Sequence, residues 1–236
     1  MPPHPTTLFA DLASACPAVT AGRPPASLPP TATPIRTQPF LALVSALLPV
    51  LAALGRGLGP AKADVSKNLA RLEAARAGAA PPGACDGDVR LIAVADLASV
   101  AGDADALHGS TSPAKALLWL VRTLLFVRGV LTRVAASEGD ARAPSLCAVA
   151  RDAYAATLRP FHGAVTGAAV STALAFAPGR DAFWRAVGLE GGSGKEGGGS
   201  AAVRELALFL GLFDPILSEL QAFLAKAGLD DPSPVR

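Results

Sequence analysis

The chain has 236 residues, 51% of them hydrophobic and only 5% aromatic, so a large core is available and each Trp or Phe is sparingly placed. A net charge of +2 is too weak to imply a nucleic-acid partner. Cys16, Cys85 and Cys147 share no paired spacing, which argues against a disulfide framework or zinc site and for a reducing compartment, here the cytosol.

Residues 1–36 are rich in Pro, Ala, Thr and Ser, with Asp11 the only acid. Residues 8–12 suit a short helix and the rest reads as irregular, so the segment is expected to be dispensable for folding. An organelle transit peptide would also be acid-poor, but Ser and Arg are sparse here, and nothing resembles a secretory signal. Pro39 opens a helix in its first turn, where a missing N–H costs nothing. That helix runs through Leu54 and ends at Gly55, Gly57 and Gly59. The apolar run 40–55 contains Ser45 and Pro49 and stops short of the roughly 20 residues a membrane span needs.

Pro60 leads into the helix the chain is organised around, residues 63–76. At roughly 100° per residue, Asp64, Asn68 and Arg71 form one stripe beside a second of Val65, Leu69 and Leu72. A polar stripe bordering an apolar face can sit at the rim of a core. Asp accepts only, Arg donates only and Asn does both, a set suited to a neutral polyhydroxyl or amide group. The plainer alternative is a first-turn acid serving the helix dipole, flanked by solvated charge.

Residues 80–88 form a loop marked by Pro81, Pro82 and Gly83; residues 89–100 have helical spacing; residues 102–111 form another loop. Ser112 caps and Pro113 starts a long helix to about Ala136, whose interior, residues 116–131, is apolar nearly all round apart from Arg122 and Arg128, as in the middle of a bundle. Lys115 and Arg122 flank its Trp119. After a turn at 139–144, residues 145–161 are amphipathic, with Pro160 bending or ending the helix. Residues 163–177 carry no charge and read as a buried core helix. Residues 181–187 form a short helix holding Phe183 and Trp184, and 201–228 the final helix, with Pro215 inside it. Between them, residues 191–200 (GGSGKEGGGS) are a flexible insert; the flanking residues of a phosphate-binding loop are missing. Residues 230–236 are a polar tail. With no alternating β-branched run, the chain is expected to be all-α.

No enzyme constellation emerges. His4, His108 and His162 are far apart without a metal-ligand partner at i+4, and there is no Gly-x-Ser-x-Gly elbow. No metal, cofactor or catalytic residue is assigned.

Several segments together resemble a known family. Lys62-Ala63-Asp64-Val65-Ser66-Lys67-Asn68 is similar to the KAD-[IV]-S-x-N segment of glycolipid transfer proteins. Ala116-Leu117-Leu118-Trp119-Leu120-Val121-Arg122 is similar to their A-L-M-W-L-K-R segment. Ala153-Tyr154 with Phe161-His162-Gly163 resembles their A-Y and Y-H-G pair, and Pro39-Phe40-Leu41 and Ala177-Pro178 fall in order. The resemblance covers roughly residues 35–229, which makes 37–229 the expected domain.

It implies an all-α, two-layer bundle of about eight helices and no catalysis. It implies a monomeric carrier that binds one glycosphingolipid and visits membrane surfaces transiently. By motif position, Asp64 and Asn68 would hydrogen-bond the sugar, Trp119 would stack on it, Asp64 would take the ceramide amide N–H and His162 the amide carbonyl. Arg71 stands where the family has Lys, keeping the charge but changing its geometry. Phe40, Leu58, Leu69, Phe126 and Phe183 are the expected lining of a collapsible apolar pocket. The family's Trp after its His-Gly pair, linked to membrane contact, is Ala164 here, and its C-terminal Tyr has no counterpart. A sister branch carries ceramide-1-phosphate, with Lys at the Asn68 position and Arg at the Trp119 position. Lys115 falls where that branch has another Arg, so phosphate is the runner-up, and a sensor that binds lipid without delivering it is a third reading.

Overall fold

In the computed structural model, residues 7–21, 35–79, 112–188, 198–226 and 228–230 are described. The expected helix at 89–100, its flanking loops and most of the Gly-rich insert lie outside the described residues.

The described elements are all helical. They are α1 (Leu8–Thr20), α2 (Thr37–Ala46), α3 (Leu48–Ala53), α4 (Gly59–Ala79), α5 (Pro113–Ala136), α6 (Leu146–Thr157), α7 (Ala164–Ala175), α8 (Arg180–Ala186) and α9 (Gly198–Lys226). Single 3₁₀ turns occupy Arg56–Leu58 and Arg159–Phe161. Counting α2 and α3 as one helix broken at Leu47, just before Pro49, leaves eight α-helices among the described residues. The all-α two-layer bundle is therefore what the chain forms.

α5 lies at the centre, with α4, α6 and α9 packed on it. Fifteen of its residues are buried, and Ser112 caps it by accepting from the Lys115 N–H at 3.0 Å. The two charged residues of its apolar interior are both paired. Arg128 makes a two-pronged contact with Asp214 on α9 at 2.8 and 3.0 Å. Arg122, 4% exposed, lies 3.5 Å over the Phe161 ring and 3.3 Å from Asp230. Near the end of α5, Arg180 donates to the Val134 carbonyl and Ser137 hydroxyl, and Trp184 Nε1 donates to Glu138, which fixes α8.

Three expectations need correction. The first concerns the start of the chain: α1 runs thirteen residues, through Pro17, rather than over 8–12. It docks on α9 and α2 through buried Phe9, Leu12, Cys16 and Val19, so residues 8–20 are part of the packed core. Thr7 accepts from the Ala10 N–H and also hydrogen-bonds Glu205 on α9. Burial pushes the Cys16 thiol up to about 11, leaving it an inert core residue.

The second concerns α7, which is an outer helix rather than a core one. Only Gly167 and Leu174 are buried, while Val165 is 85% and Phe176 76% exposed. Its small residues give it no large apolar face to bury, and it sits on the Arg56–Leu58 turn and α6. The approach is close: a Cβ on Gly57 would stand 2.9 Å from the Ala173 Cβ. Gly55, at φ +125°, makes the turn leading there.

The third is a boundary. α9 begins at Gly198, inside the expected insert, because a docked helix propagates into weak formers at its end. One helix among the described residues, Ala201–Lys226, is long and apolar enough to cross a membrane. Its buried Leu206, Phe209, Phe213 and Leu220 form the core face against α1 and α5.

Candidate functional site

On α4 the polar stripe is a hydrogen-bonded relay. Asn68 Nδ2 donates to Asp64 Oδ2 at 3.0 Å, and Arg71 donates to Asn68 Oδ1 at 3.2 Å. A carboxylate can only accept and a guanidinium only donate, so the two neighbours together dictate which way the Asn68 amide faces. Val65 and Leu72 anchor the adjacent stripe in the core, and Asn68 itself is buried. Because α4 starts at Gly59, Asp64 lies beyond its first turn, where the dipole argument fades.

Facing this relay, Trp119 on α5 is partly buried and packs against the core. His162 stacks on it, with ring centroids 5.5 Å apart and planes 17° apart. The Arg122 guanidinium lies 5.3 Å from the Trp119 ring. His162 is brought there by the Arg159–Phe161 turn, where Pro160 ends the α6 trajectory. Its Nδ1 lies 2.9 Å from the Tyr154 hydroxyl.

These groups surround the mouth of a cavity of about 440 Å³, within the roughly 300–1,000 Å³ of small-molecule sites. Asp64, Asn68, Arg71, Lys115, Trp119 and His162, all six residues singled out as headgroup candidates, line it. Its apolar wall includes Leu51, Leu58, Phe126 and Leu158, and α7 contributes Thr166 and Val170. Of the five expected pocket residues, Leu58 and Phe126 are therefore in place. Phe40 and Phe183 are fully enclosed in the core, and Leu69 packs at the core's edge; none of these three lines the cavity. Thr123, one turn after Trp119, and Tyr154 are lining residues that sequence reasoning missed; Tyr154 stood in the A-Y motif without a role. A void of about 10 Å³ among apolar side chains of α2, α3, α4 and α5 lies deeper and shares Leu51 and Thr123 with the cavity.

Burial holds His162 below the usual imidazole range, opposed by Asp64 and reinforced by Arg159 and Arg122. A depressed folded-state pKa means that the unfolded chain takes up the proton first as pH falls through about 6.5. Stability should therefore fall as pH drops through that window. Thermal melts between pH 7.5 and 5.5 should show a steeper loss for the wild type than for His162→Gln; equal slopes would contradict this assignment.

The chain matches the glycolipid transfer protein family over residues 35–189. It belongs to that family. Glycolipid transfer protein 1 of Arabidopsis thaliana is 30% identical over 195 residues, covering 83% of this chain and 86% of that one. Pleckstrin homology domain-containing family A member 8 of Mus musculus is 29% identical over 198 residues, covering 83% of this chain, which spans only 36% of that protein's length. Among solved structures, that of FAPP2, which selects simple glycosphingolipids using the GLTP-fold, superimposes with a TM-score of 0.74 at 27% identity, covering 98% of this chain and 100% of that one. Human ceramide-1-phosphate transfer protein in complex with its lipid gives 0.71 at 20% identity, covering 95% and 98%, a likeness of fold. The chain is thus a GLTP-fold lipid-transfer protein.

Proposed function

We propose that this protein binds one glycosylceramide at a time and carries it between membranes in the cytosol. The observation that supports this most is the meeting of Asp64, Asn68, Trp119 and His162 at the mouth of one apolar-walled cavity. Trp119 offers an aromatic face for a sugar ring, the relay offers donors and acceptors for its hydroxyls, and Asp64 and His162 suit the N–H and C=O of the ceramide amide.

The apolar part carries most of the binding energy. Exposing a chain of about sixteen carbons to water costs on the order of 13 kcal/mol, at about 0.8 kcal/mol per CH₂. The cavity beyond Leu58 and Phe126, with the void behind Leu51 and Thr123, is where acyl carbons would be sheltered. That term is blind to the headgroup, so selectivity rests on the polar mouth. Contact with the donor and acceptor membranes falls to α7, the uncharged outer helix that forms one cavity wall, with Val165 and Phe176 in place of the family's Trp. The carrier is monomeric in this reading. Free Cys16 and Cys147 fit a reducing compartment.

Arg71 and Lys115 at the same mouth favour a second reading, a ceramide-1-phosphate carrier. Native mass spectrometry after incubation with mixed vesicles tests both. One glucosyl- or galactosylceramide per chain is expected; capture of ceramide-1-phosphate alone would favour the second reading and defeat the first.

A further inference from the structure

We propose that Tyr154 is a positioning residue for headgroup recognition: its hydroxyl donates to His162 Nδ1 and holds the imidazole as the Nε2–H tautomer, turning a donor toward the cavity. The inference deepens the carrier reading and rests on it for the identity of the lipid.

The geometry leaves two ways to make the 2.9 Å contact between the Tyr154 hydroxyl and Nδ1. If the phenol accepted from an Nδ1–H, its own proton would need another acceptor. Tyr154 is 3% exposed, and its only hydrogen-bond partner among the described residues is His162. If the phenol donates, its proton is satisfied and so is the Nδ1 lone pair, with nothing left over. The neutral ring then carries its one proton on Nε2. Burial keeps His162 neutral, so the tautomer is a real choice rather than an average with the doubly protonated ring.

The ring has little freedom to evade that choice. It stacks on Trp119 with planes 17° apart and stands 5.6 Å from the Tyr154 ring. Arg159 donates to the His162 carbonyl at 3.3 Å, tying down the backbone at the turn. Flipping the imidazole by about 180° would put Cδ2 where Nδ1 stands and break the Tyr154 contact.

The consequence is chemical polarity at the cavity mouth. Asp64 is an acceptor on α4, and an Nε2–H at His162 is a donor on the other side. Together they match a secondary amide, whose N–H and C=O point in opposite directions. The other tautomer would present two acceptors and oppose the amide carbonyl. Tyr154 thereby adds selectivity for amide-bearing lipids over those with the same sugar and no amide.

The test starts from the ligand-free wild type and needs no altered fold. In ¹⁵N-histidine-labelled protein, with His162 assigned by the signal missing from His162→Gln, its Nδ1 should resonate as an unprotonated acceptor and its Nε2 as protonated. An Nδ1–H tautomer would overturn the proposal. In Tyr154→Phe, which keeps the ring and loses only the hydroxyl, the two signals should move toward an average of tautomers; unchanged signals would overturn it equally. Binding supplies the second readout. Tyr154→Phe should weaken glucosylceramide by about three- to tenfold, the loss of roughly one oriented hydrogen bond. It should weaken a dialkyl glucoside, which has the sugar and chains but no amide, by less than twofold. Equal losses for both lipids would reduce Tyr154 to a structural role and overturn the proposal. A wild type that shows the expected tautomer but captures no glucosylceramide would overturn the carrier reading and leave the Tyr154–His162 assignment standing.

Discussion

Asp64→Val should abolish most glycosylceramide binding while leaving the fold intact. Asp64 is exposed on α4 but accepts from the buried Asn68 amide, so its replacement should cost on the order of 1 kcal/mol of stability. For a domain of this size that is a shift of about 2–4 °C in melting temperature, well short of unfolding. Its loss acts on the site in two ways. The lipid donors it would accept from are left unpaired on a partly desolvated surface, at roughly 1–3 kcal/mol each. The Asn68 amide also loses the carboxylate that, with Arg71, sets its direction. A tenfold or greater loss of affinity follows. Titration with short-chain glucosylceramide, read alongside a thermal melt, checks both halves. Trp119→Ala is a less clean probe, because it removes the surface on which His162 stacks and the ring beside Arg122 as well as the sugar platform.

Phe9→Ala should be among the most damaging single changes to stability. Phe9 is fully buried, lies stacked on Phe209 at 6.1 Å and meets Trp184 edge-on at 6.5 Å. Truncating a buried Phe costs about 3–5 kcal/mol. Against a total stability of roughly 5–15 kcal/mol that is a large share, and at about 2–4 °C per kcal/mol the melting temperature should drop on the order of 10 °C. Removing residues 1–21 would uncover the α9 face as well and should leave a chain that melts without cooperativity. A truncated protein as stable as the full chain would mean that α1 is not held as the structure describes.

The contrast between these two positions shows what the sequence could tell. The α4 stripe was legible because a helix converts i, i+4 and i+7 into one face, and three residue types of fixed hydrogen-bonding character can be placed on it without coordinates. The start of α5 was legible because Ser112 and Pro113 act locally. Trp119 and His162 are 43 positions apart, and only the family motif suggested that they meet. α1 was hidden for a different reason. Its alanines and Pro17 give a weak local signal, and its stability comes from docking on α9, whose partner face lies nearly 200 residues away. α7 was misread in the opposite direction: absence of charge suggested burial, yet small side chains leave it little to bury. Of the expected pocket residues, Phe40 and Phe183 are consumed by the core itself, because a fully enclosed aromatic has no face left for a ligand. Tyr154 could have been found from its motif, since a phenol eight residues before a histidine across a helix break can fold back onto it.

The central claim is selectivity for a sugar headgroup in a carrier, and competitive vesicle transfer tests it most directly. Donor vesicles would contain equal amounts of differently labelled glucosylceramide and ceramide-1-phosphate, and acceptor vesicles neither. The expected result is protein-dependent arrival of glucosylceramide, at least tenfold faster than ceramide-1-phosphate and lost in Asp64→Val. Arrival of ceramide-1-phosphate in preference to glucosylceramide, or binding of glucosylceramide with no transfer at all, would contradict it.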